Sequence, residues 1–375
     1  MLCPFSIVNS SEPADQALMG KENWRGFGTR QGGCVDNCSA NASFKVKMQP
    51  DPYHFKTTKG HMYLGDSLKV IQEKWFLDRY KGKIDLVFTS PPFPLTREKS
   101  YGNLKSNAYV EWLSSYALPL TNLLSPEGSI VLEVGNNWEP GVPTMGTWTL
   151  EALLEFKRKA KLNLCQQMIW HNTAKLPGPA RWVNIERIRL KDAFTYIWWM
   201  SPNVRPFADN RRILRNYSDA MKKLLRTKKY NAGQRPSEHL INAVSFLKKN
   251  SGSIRSSVQQ VDDDITDDVT EQELLELLTQ SDVHAIGHTN NTPDYVERCK
   301  IKGITPHPAR MPVQLAERFI NFLTRDKNSL VLDPFGGSNV TGYAAEKLGR
   351  NWVSIEMNED YIAGAACRFS NPKFR

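Results

Sequence analysis

Long apolar runs are missing from this chain of 375 residues: no window reaches membrane-spanning length. Nor does a basic stretch lead into an apolar core near its start. The expectation is a protein neither membrane-embedded nor secreted. Cysteine is sparse: six residues, at 3, 34, 38, 165, 299 and 367. Cys34 and Cys38 have no second cysteine or histidine pair at zinc-site spacing, so no metal site is expected. A reducing cytoplasm is the simpler setting. The one Cys-Pro pair, Cys3-Pro4, falls in a polar stretch, which leaves no candidate nucleophilic cysteine beside the motifs below. A complete G-x-G-x-x-G is also missing, which argues against a pyrophosphate seat.

Acids are scarce in one region. Residues 157–255 hold 22 Lys and Arg against 5 Asp and Glu, a balance of +17 where the whole chain carries +10. A charge run is ordinarily a solvated face. Here the excess favours a polyanionic partner, with Lys175, Arg211, Arg212, Lys222 and Lys223 as candidate DNA contacts. Residues 262–276 reverse the sign, with eight acids and no Lys or Arg, and read as an exposed insertion facing away from DNA.

What is present begins with Ile84-Asp85-Leu86-Val87-Phe88-Thr89-Ser90-Pro91-Pro92-Phe93. The β-branched and aromatic run reads as a buried strand stopped by two prolines, which remove two backbone donors. A hydroxyl, free carbonyls and a ring then project together at the strand's C-terminal end, where open α/β sheets place ligands. Upstream, 62–64 reads as a short strand with Asp66 at its end, and Ser67 as the cap of a helix through Leu68, Ile71 and Trp75. Structure is expected to start near His61. Downstream, one amphipathic helix is expected from Tyr109 to Leu124, closed by Ser125-Pro126-Glu127-Gly128. A strand over 129–135 follows, carrying Glu133. Strand, helix, strand implies parallel neighbours, so Glu133 should lie beside Ser90.

Near the other end, 329–333 reads as a strand ending in Asp333, then Pro334-Phe335-Gly336-Gly337-Ser338-Asn339, a helix through Val340 and Ala344, and a strand ending in Glu356. The glycines allow close backbone approach, and an acid 23 residues beyond Asp333 suits a ribose. With no pyrophosphate seat, S-adenosylmethionine is the expected cofactor, Asp333 near its cationic amino-acid end. Arg310, in the proline-punctuated loop 305–312, could bind its carboxylate bidentately.

Ser90-Pro91-Pro92-Phe93 preceding the Asp333–Glu356 unit resembles the β-class amino DNA methyltransferases, and Ser in the first motif position resembles the cytosine-N4-specific members. Further stretches carry the likeness, among them 62–68, 101–104, 175–177, 182–184, 198–199, 307–310 and Glu356-Met357. The resemblance implies a circularly permuted Rossmann-like sheet of seven strands, one antiparallel, with an inserted basic target-recognition region. It also implies S-adenosylmethionine as donor, double-stranded DNA as substrate, and a cytoplasmic, nucleoid-associated prokaryotic enzyme of a restriction–modification system, with a cognate endonuclease as a partner in function. Ser90, Pro91, Pro92, Phe93 and Glu133 are the candidate catalytic residues. Asp66, Arg310, Asp333, Phe335, Gly336, Gly337, Ser338, Asn339 and Glu356 are the candidate cofactor residues. The expected organisation is an N-terminal arm without order (1–55), a catalytic half (56–160), a basic DNA-facing region sharing strands with the sheet (161–260), an acidic insertion (261–290) and a cofactor half (291–375). Adenine-N6 methylation stands as the alternative within the class. A nucleotide-dependent oxidoreductase and a catalytically silent DNA-binding protein stand as alternatives outside it.

Overall fold

The computed structural model describes residues 53–93, 106–172, 175, 177–230, 232–242, 244, 246–259 and 293–369. The arm over 1–52, the 101–104 stretch and the acidic insertion over 261–290 lie outside the described residues.

Eleven strands are numbered in chain order: β1 (Tyr53–Lys56), β2 (Gly60–Leu64), β3 (Ile84–Thr89), β4 (Leu124–Gly135), β5 (Asn163–His171), β6 (Phe194–Ser201), β7 (Gly233–Gln234), β8 (Leu240–Ile241), β9 (Val258–Gln259), β10 (Leu330–Asp333) and β11 (Asn351–Glu356). Nine form one sheet in the order β1-β2-β11-β10-β3-β4-β6-β5-β9, and β7 with β8 makes a separate hairpin. The sheet holds the expected seven-stranded permuted core from β2 to β5, in which β6 alone runs antiparallel to its neighbours. Two edge strands extend it beyond the expectation: β1, antiparallel to β2, and the two-residue β9, parallel to β5.

β3 shows why the core strands read as continuous apolar runs. Five of its six residues are buried, because helices cover both faces of the sheet. Val87 and Leu132 join a cluster with Phe76, Leu113 and Phe156 on one side. Leu86, Phe88 and Val131 join Phe319, Ile320 and Trp352 on the other. The polar exception, Asp85, is satisfied: it accepts from the Leu330 N–H at 2.9 Å and the Ser125 hydroxyl at 2.8 Å, fixing where β10 begins beside β3.

Three local expectations are corrected. Strand β1, Tyr53–Lys56, lies ahead of His61. Asp66, not Ser67, caps the next helix by accepting from the Leu68 N–H at 3.0 Å, and that helix is broken into Ser67–Val70 and Lys74–Tyr80. The single helix expected up to Leu124 is likewise two, Ser106–Ser115 and Ala117–Leu123, and β4 starts at Leu124 and takes in Ser125 to Gly128. Its long N-terminal extension pairs with Ile84 through an irregular register, which periodicity does not reveal. Among the described residues, no helix is long and apolar enough to cross a membrane.

Candidate active site

One cavity of about 610 Å³ opens at the C-terminal edge of β3, β4, β10 and β11, and both motifs line it. From the catalytic half come Ser90, Pro91, Pro92, Phe93 and Glu133; from the cofactor half come Asp333, Phe335, Gly336, Gly337, Ser338 and Glu356; Asp66 and Arg310 also contribute. Of the fourteen catalytic and cofactor candidates, Asn339 alone is not on its wall. It is buried, in a left-handed conformation (φ 52°), and its side chain caps the helix Val340–Lys347 by accepting from the Gly342 N–H at 3.1 Å. Its part is to end the glycine turn, not to face a ligand.

The Ser90 hydroxyl donates to Glu133 Oε2 at 2.5 Å. Glu133 is buried, and burial pushes its carboxyl above the ordinary range; the Ser90 and Thr195 hydroxyls and the nearby Lys175 charge pull the other way. The arrangement is a carboxylate held behind a serine, whose oxygen keeps lone pairs to accept a further hydrogen bond. Phe93 lays its ring against Gly135, where a Cβ would come within 2.5 Å of the ring edge, so glycine is required there for the ring to sit.

On the other side, the Thr89 hydroxyl donates to Asp333 Oδ1 at 2.6 Å, tying the ends of β3 and β10. The Phe335 N–H adds a contact at 3.1 Å to the same oxygen. Burial nonetheless dominates and raises Asp333 to about 6, with the Glu356 charge adding to it. Gly336 donates to the Ile355 carbonyl at 2.8 Å, and a Cβ on it would meet Met62 at 2.9 Å. Gly337 takes φ +49° and donates to Glu356 Oε2 at 2.8 Å. The other Glu356 oxygen accepts from the Met357 and Asn358 N–H groups, both at 2.9 Å. Burial raises Glu356, and these three backbone donors oppose it. The carboxylate therefore faces the cavity in a fixed orientation with acceptor capacity to spare. Arg310 donates from Nη1 to the His307 carbonyl at 2.6 Å, while its buried Nε has no hydrogen-bond partner.

The basic candidates separate. Lys175 lines the cavity and is not on an open face: Nζ lies 2.8 Å from Asp192 and 3.3 Å from the Phe194 carbonyl. Arg212 is exposed, but its guanidinium is engaged, donating to the carbonyls of Thr324 and Arg325 at 2.7 Å. Arg211 is exposed and clamps Asp209 with two bonds of 2.8 and 2.9 Å, which hold that carboxyl below its usual range. Lys222 and Lys223 are exposed on the helix Asp219–Thr227. A count of charges cannot see such pairing.

Sequence reasoning missed several cavity residues. Trp112 and Tyr116 flank Phe335 with ring centroids 5.5 and 4.9 Å away. Their helical spacing marked them as core, and they are both core and wall. His307 stands against Tyr361 at 4.3 Å, and both line the cavity, as do Trp170 and Asn172. His307 lies in the 307–310 stretch that carries the likeness but was given no role there; no local motif marks Tyr361, Trp170 or Asn172.

A family model described as DNA methylase, named for N6 and N4 methyltransferases, matches residues 84–366. The chain is 38% identical over 317 residues to the type II methyltransferase M.PvuII of Proteus hauseri, covering 84% of this chain and 85% of that protein. It is 25% identical over 317 residues to the type II methyltransferase M.ScaI of Streptomyces caespitosus, covering 83% and 81%. Among solved structures, the cytosine-N4-specific PvuII DNA methyltransferase superposes with a TM-score of 0.61 at 32% identity, over 85% of this chain and 89% of that one.

Proposed function

Since the chain belongs to this DNA methylase family, we propose that it methylates the exocyclic N4 amine of cytosine in double-stranded DNA, with S-adenosylmethionine as donor. The observation that carries the reading is the Ser90–Glu133 hydrogen bond, set in the same cavity as the Gly336–Gly337 turn and Glu356. We read the protein as the modification enzyme of a type II restriction–modification system. A cognate endonuclease would then share its site, and both would work in the cytoplasm.

The cavity suits the donor. Gly336 lets the turn pack against Met62 and Ser354, where a Cβ would collide, and so holds it at the cavity wall; Glu356 presents acceptors for ribose hydroxyls, and Asp333 and the free Nε of Arg310 suit the amino-acid end. Phe335 with its aromatic neighbours, Ser338 and Asp66 close the walls. When bound, S-adenosylmethionine supplies an electrophilic methyl on a sulfonium. The protein's own residues must make the amine a nucleophile, because its lone pair is delocalised into the ring. The Ser90 oxygen and the Pro91 carbonyl accept hydrogen bonds from the two amine N–H groups, which favours a pyramidal nitrogen with its lone pair free to attack; this gain comes from positioning and fixed dipoles. Pro92 keeps the turn rigid. When the amine is methylated, its surplus proton would pass to Ser90 and the Ser90 proton to Glu133. Phe93 gives the extrahelical base a stacking face, worth about 1–3 kcal/mol per base in single-strand binders.

The domain expectations become part of the proposal: 56–160 as catalytic half, 161–260 as DNA-facing region, 291–375 as cofactor half. Within 161–260, Arg211, Lys222 and Lys223 are the residues assigned to DNA, and Lys175 is reassigned to the cavity. The test is methylation of a DNA library with the methyl position mapped by mass spectrometry. N4-methylcytosine is expected; 6-methyladenine would move the reaction to the other amine, and no methylation would overturn the reading.

A further inference from the structure

Residues 181–191 present apolar side chains to solvent on a rigidly braced loop. Ile185 is 76% exposed, Ile188 48% and Leu190 90%. Exposed aliphatics are commonplace on floppy segments, but this one is held at every turn. The N–H groups of Ile188 and Arg189 both donate to the Trp182 carbonyl, at 2.9 and 3.2 Å. Trp182 is buried, its ring 5.7 Å from that of Trp138. Arg189 Nε donates to the Pro143 carbonyl at 2.8 Å. Arg187 takes a left-handed φ of 57°, turning the chain at the end of the helical turn Arg181–Ile185. The chain is thus anchored at Ile188 and Arg189 on one side of Leu190 and at Asp192 on the other, and it leaves Ile188 and Leu190 in water at a cost.

The loop's foot is on the cavity. Asp192 accepts from Asn136 Nδ2 and Lys175 Nζ, each at 2.8 Å, and Lys175 lines the cavity with Glu133. Leu190 stands two residues from Asp192, a span of at most about 7 Å. The knob therefore rises at the cavity's rim. Its flanks are cationic: Arg187, Arg189 and Lys191, with Arg181 paired to Glu186 at 2.6 Å. A second copy of this chain would set those cations against their own kind, whereas a DNA backbone would neutralise them.

We infer that Leu190, backed by Ile188, is the wedge that enters the base stack at the position vacated by the target cytosine. This rests on the proposed function. Moving a base into the cavity opens an apolar gap in the duplex beside its mouth, and an exposed leucine carried on the loop anchored there can fill that gap. Arg187 and Lys191 hold the phosphates on either side.

The test compares wild type, Leu190→Ala and Leu190→Met on duplexes bearing a target cytosine, and on duplexes with pyrrolo-cytosine at the target as a fluorescent reporter of unstacking. The side chain is exposed, so the variants should keep the wild-type melting temperature and S-adenosylmethionine affinity. Leu190→Ala should lower kcat/KM roughly ten- to a hundredfold, the value of keeping one leucine side chain from water. It should also lose most of the reporter signal, with both largely restored in Leu190→Met. A mismatch opposite the target, which lowers the cost of flipping, should bring wild type and Leu190→Ala within about threefold. Equal activity and equal reporter signal in an active wild type overturn the wedge while leaving the methylation reading intact. A concentration-dependent dimer in sedimentation that Leu190→Ala abolishes also overturns it, assigning the knob to self-association. A wild type that methylates nothing fails the proposed function instead.

Discussion

Glu133 reaches Ser90 from the neighbouring strand: its Oε2 lies 2.5 Å from the serine oxygen, and the two positions are 43 residues apart in the chain. Ser90→Ala deletes one acceptor for the amine and leaves the rigid turn and Phe93 in place. Turnover should fall by about 10²–10³, the usual effect of losing one preorganised polar contact. The S-adenosylmethionine dissociation constant should be unchanged by calorimetry, because Asp333, Gly336 and Glu356 are untouched. Wild-type turnover in Ser90→Ala would reduce Ser90 to a turn residue.

The carboxyl behind that serine makes a second prediction, in pH. Burial raises Glu133, so its protonated form persists into a range where surface carboxyls are ionised. Glu133 accepts the proton only when ionised, so single-turnover rates should drop as pH falls through its raised pKa. Glu133→Gln should remove that acidic limb and slow the reaction at neutral pH. A pH–rate profile with the same limb in wild type and variant would exclude Glu133 as the group responsible.

Asp333 supplies a separate titration. Its folded value of about 6 stands above the usual carboxylate value, so its contribution to stability is present at low pH and lost as pH rises through 6. Asp333→Asn should therefore melt higher than wild type without cofactor at pH 8, by on the order of 2–3 kcal/mol, and the gap should close near pH 4. A cationic ligand end favours the ionised form, so S-adenosylmethionine should bind the wild type progressively more weakly below pH 6. Pulling these apart requires only thermal melts and calorimetry across pH.

Removing the Glu356 carboxylate should weaken S-adenosylmethionine by on the order of 1.5–3 kcal/mol, the range for a charge-assisted hydrogen bond. Glu356→Ala also strands the N–H groups of Gly337, Met357 and Asn358, so a melting-temperature loss should accompany it. Glu356→Gln keeps acceptors and should lose less of both. An unchanged dissociation constant in Glu356→Ala would take the residue out of the cofactor site.

Charge reversal separates two kinds of basic residue. Lys222→Glu with Lys223→Glu should weaken DNA binding and flatten its dependence on salt, leaving the melting temperature near wild type. Arg212→Glu should instead lower the melting temperature, because its guanidinium serves the carbonyls of Thr324 and Arg325 after the helix Val313–Leu323. Filter binding at several salt concentrations beside a thermal melt distinguishes them.

Much of the cavity was legible because its residues sit where strands stop. Ser90, Glu133, Asp333 and Glu356 each follow or end an apolar run, and parallel strands bring their ends to one edge by construction. The engagement of cations was not legible, since Asp192 for Lys175 and the Thr324 and Arg325 carbonyls for Arg212 depend on tertiary placement. Helix breaks were missed for a related reason: apolar spacing continues through Tyr116 from one helix to the next, while the break shows only in the backbone. Asn339 reads as one more polar residue in a glycine turn, and only its left-handed φ shows it to be a cap.

The sheet order has a consequence for how the chain is made. β11 and β10 lie between β2 and β3, so the centre of the sheet is filled by strands that leave the ribosome about 240 residues after the strands they separate. Until then β2 and β3 each carry an open edge, apolar on both faces, that a nascent chain must shield from its neighbours. Closing the sheet is then the same event as assembling the site, because the Thr89–Asp333 contact forms only when β10 docks on β3. A translation product stopped before Leu330 lacks Asp333, the glycine turn and Glu356, and should bind no S-adenosylmethionine.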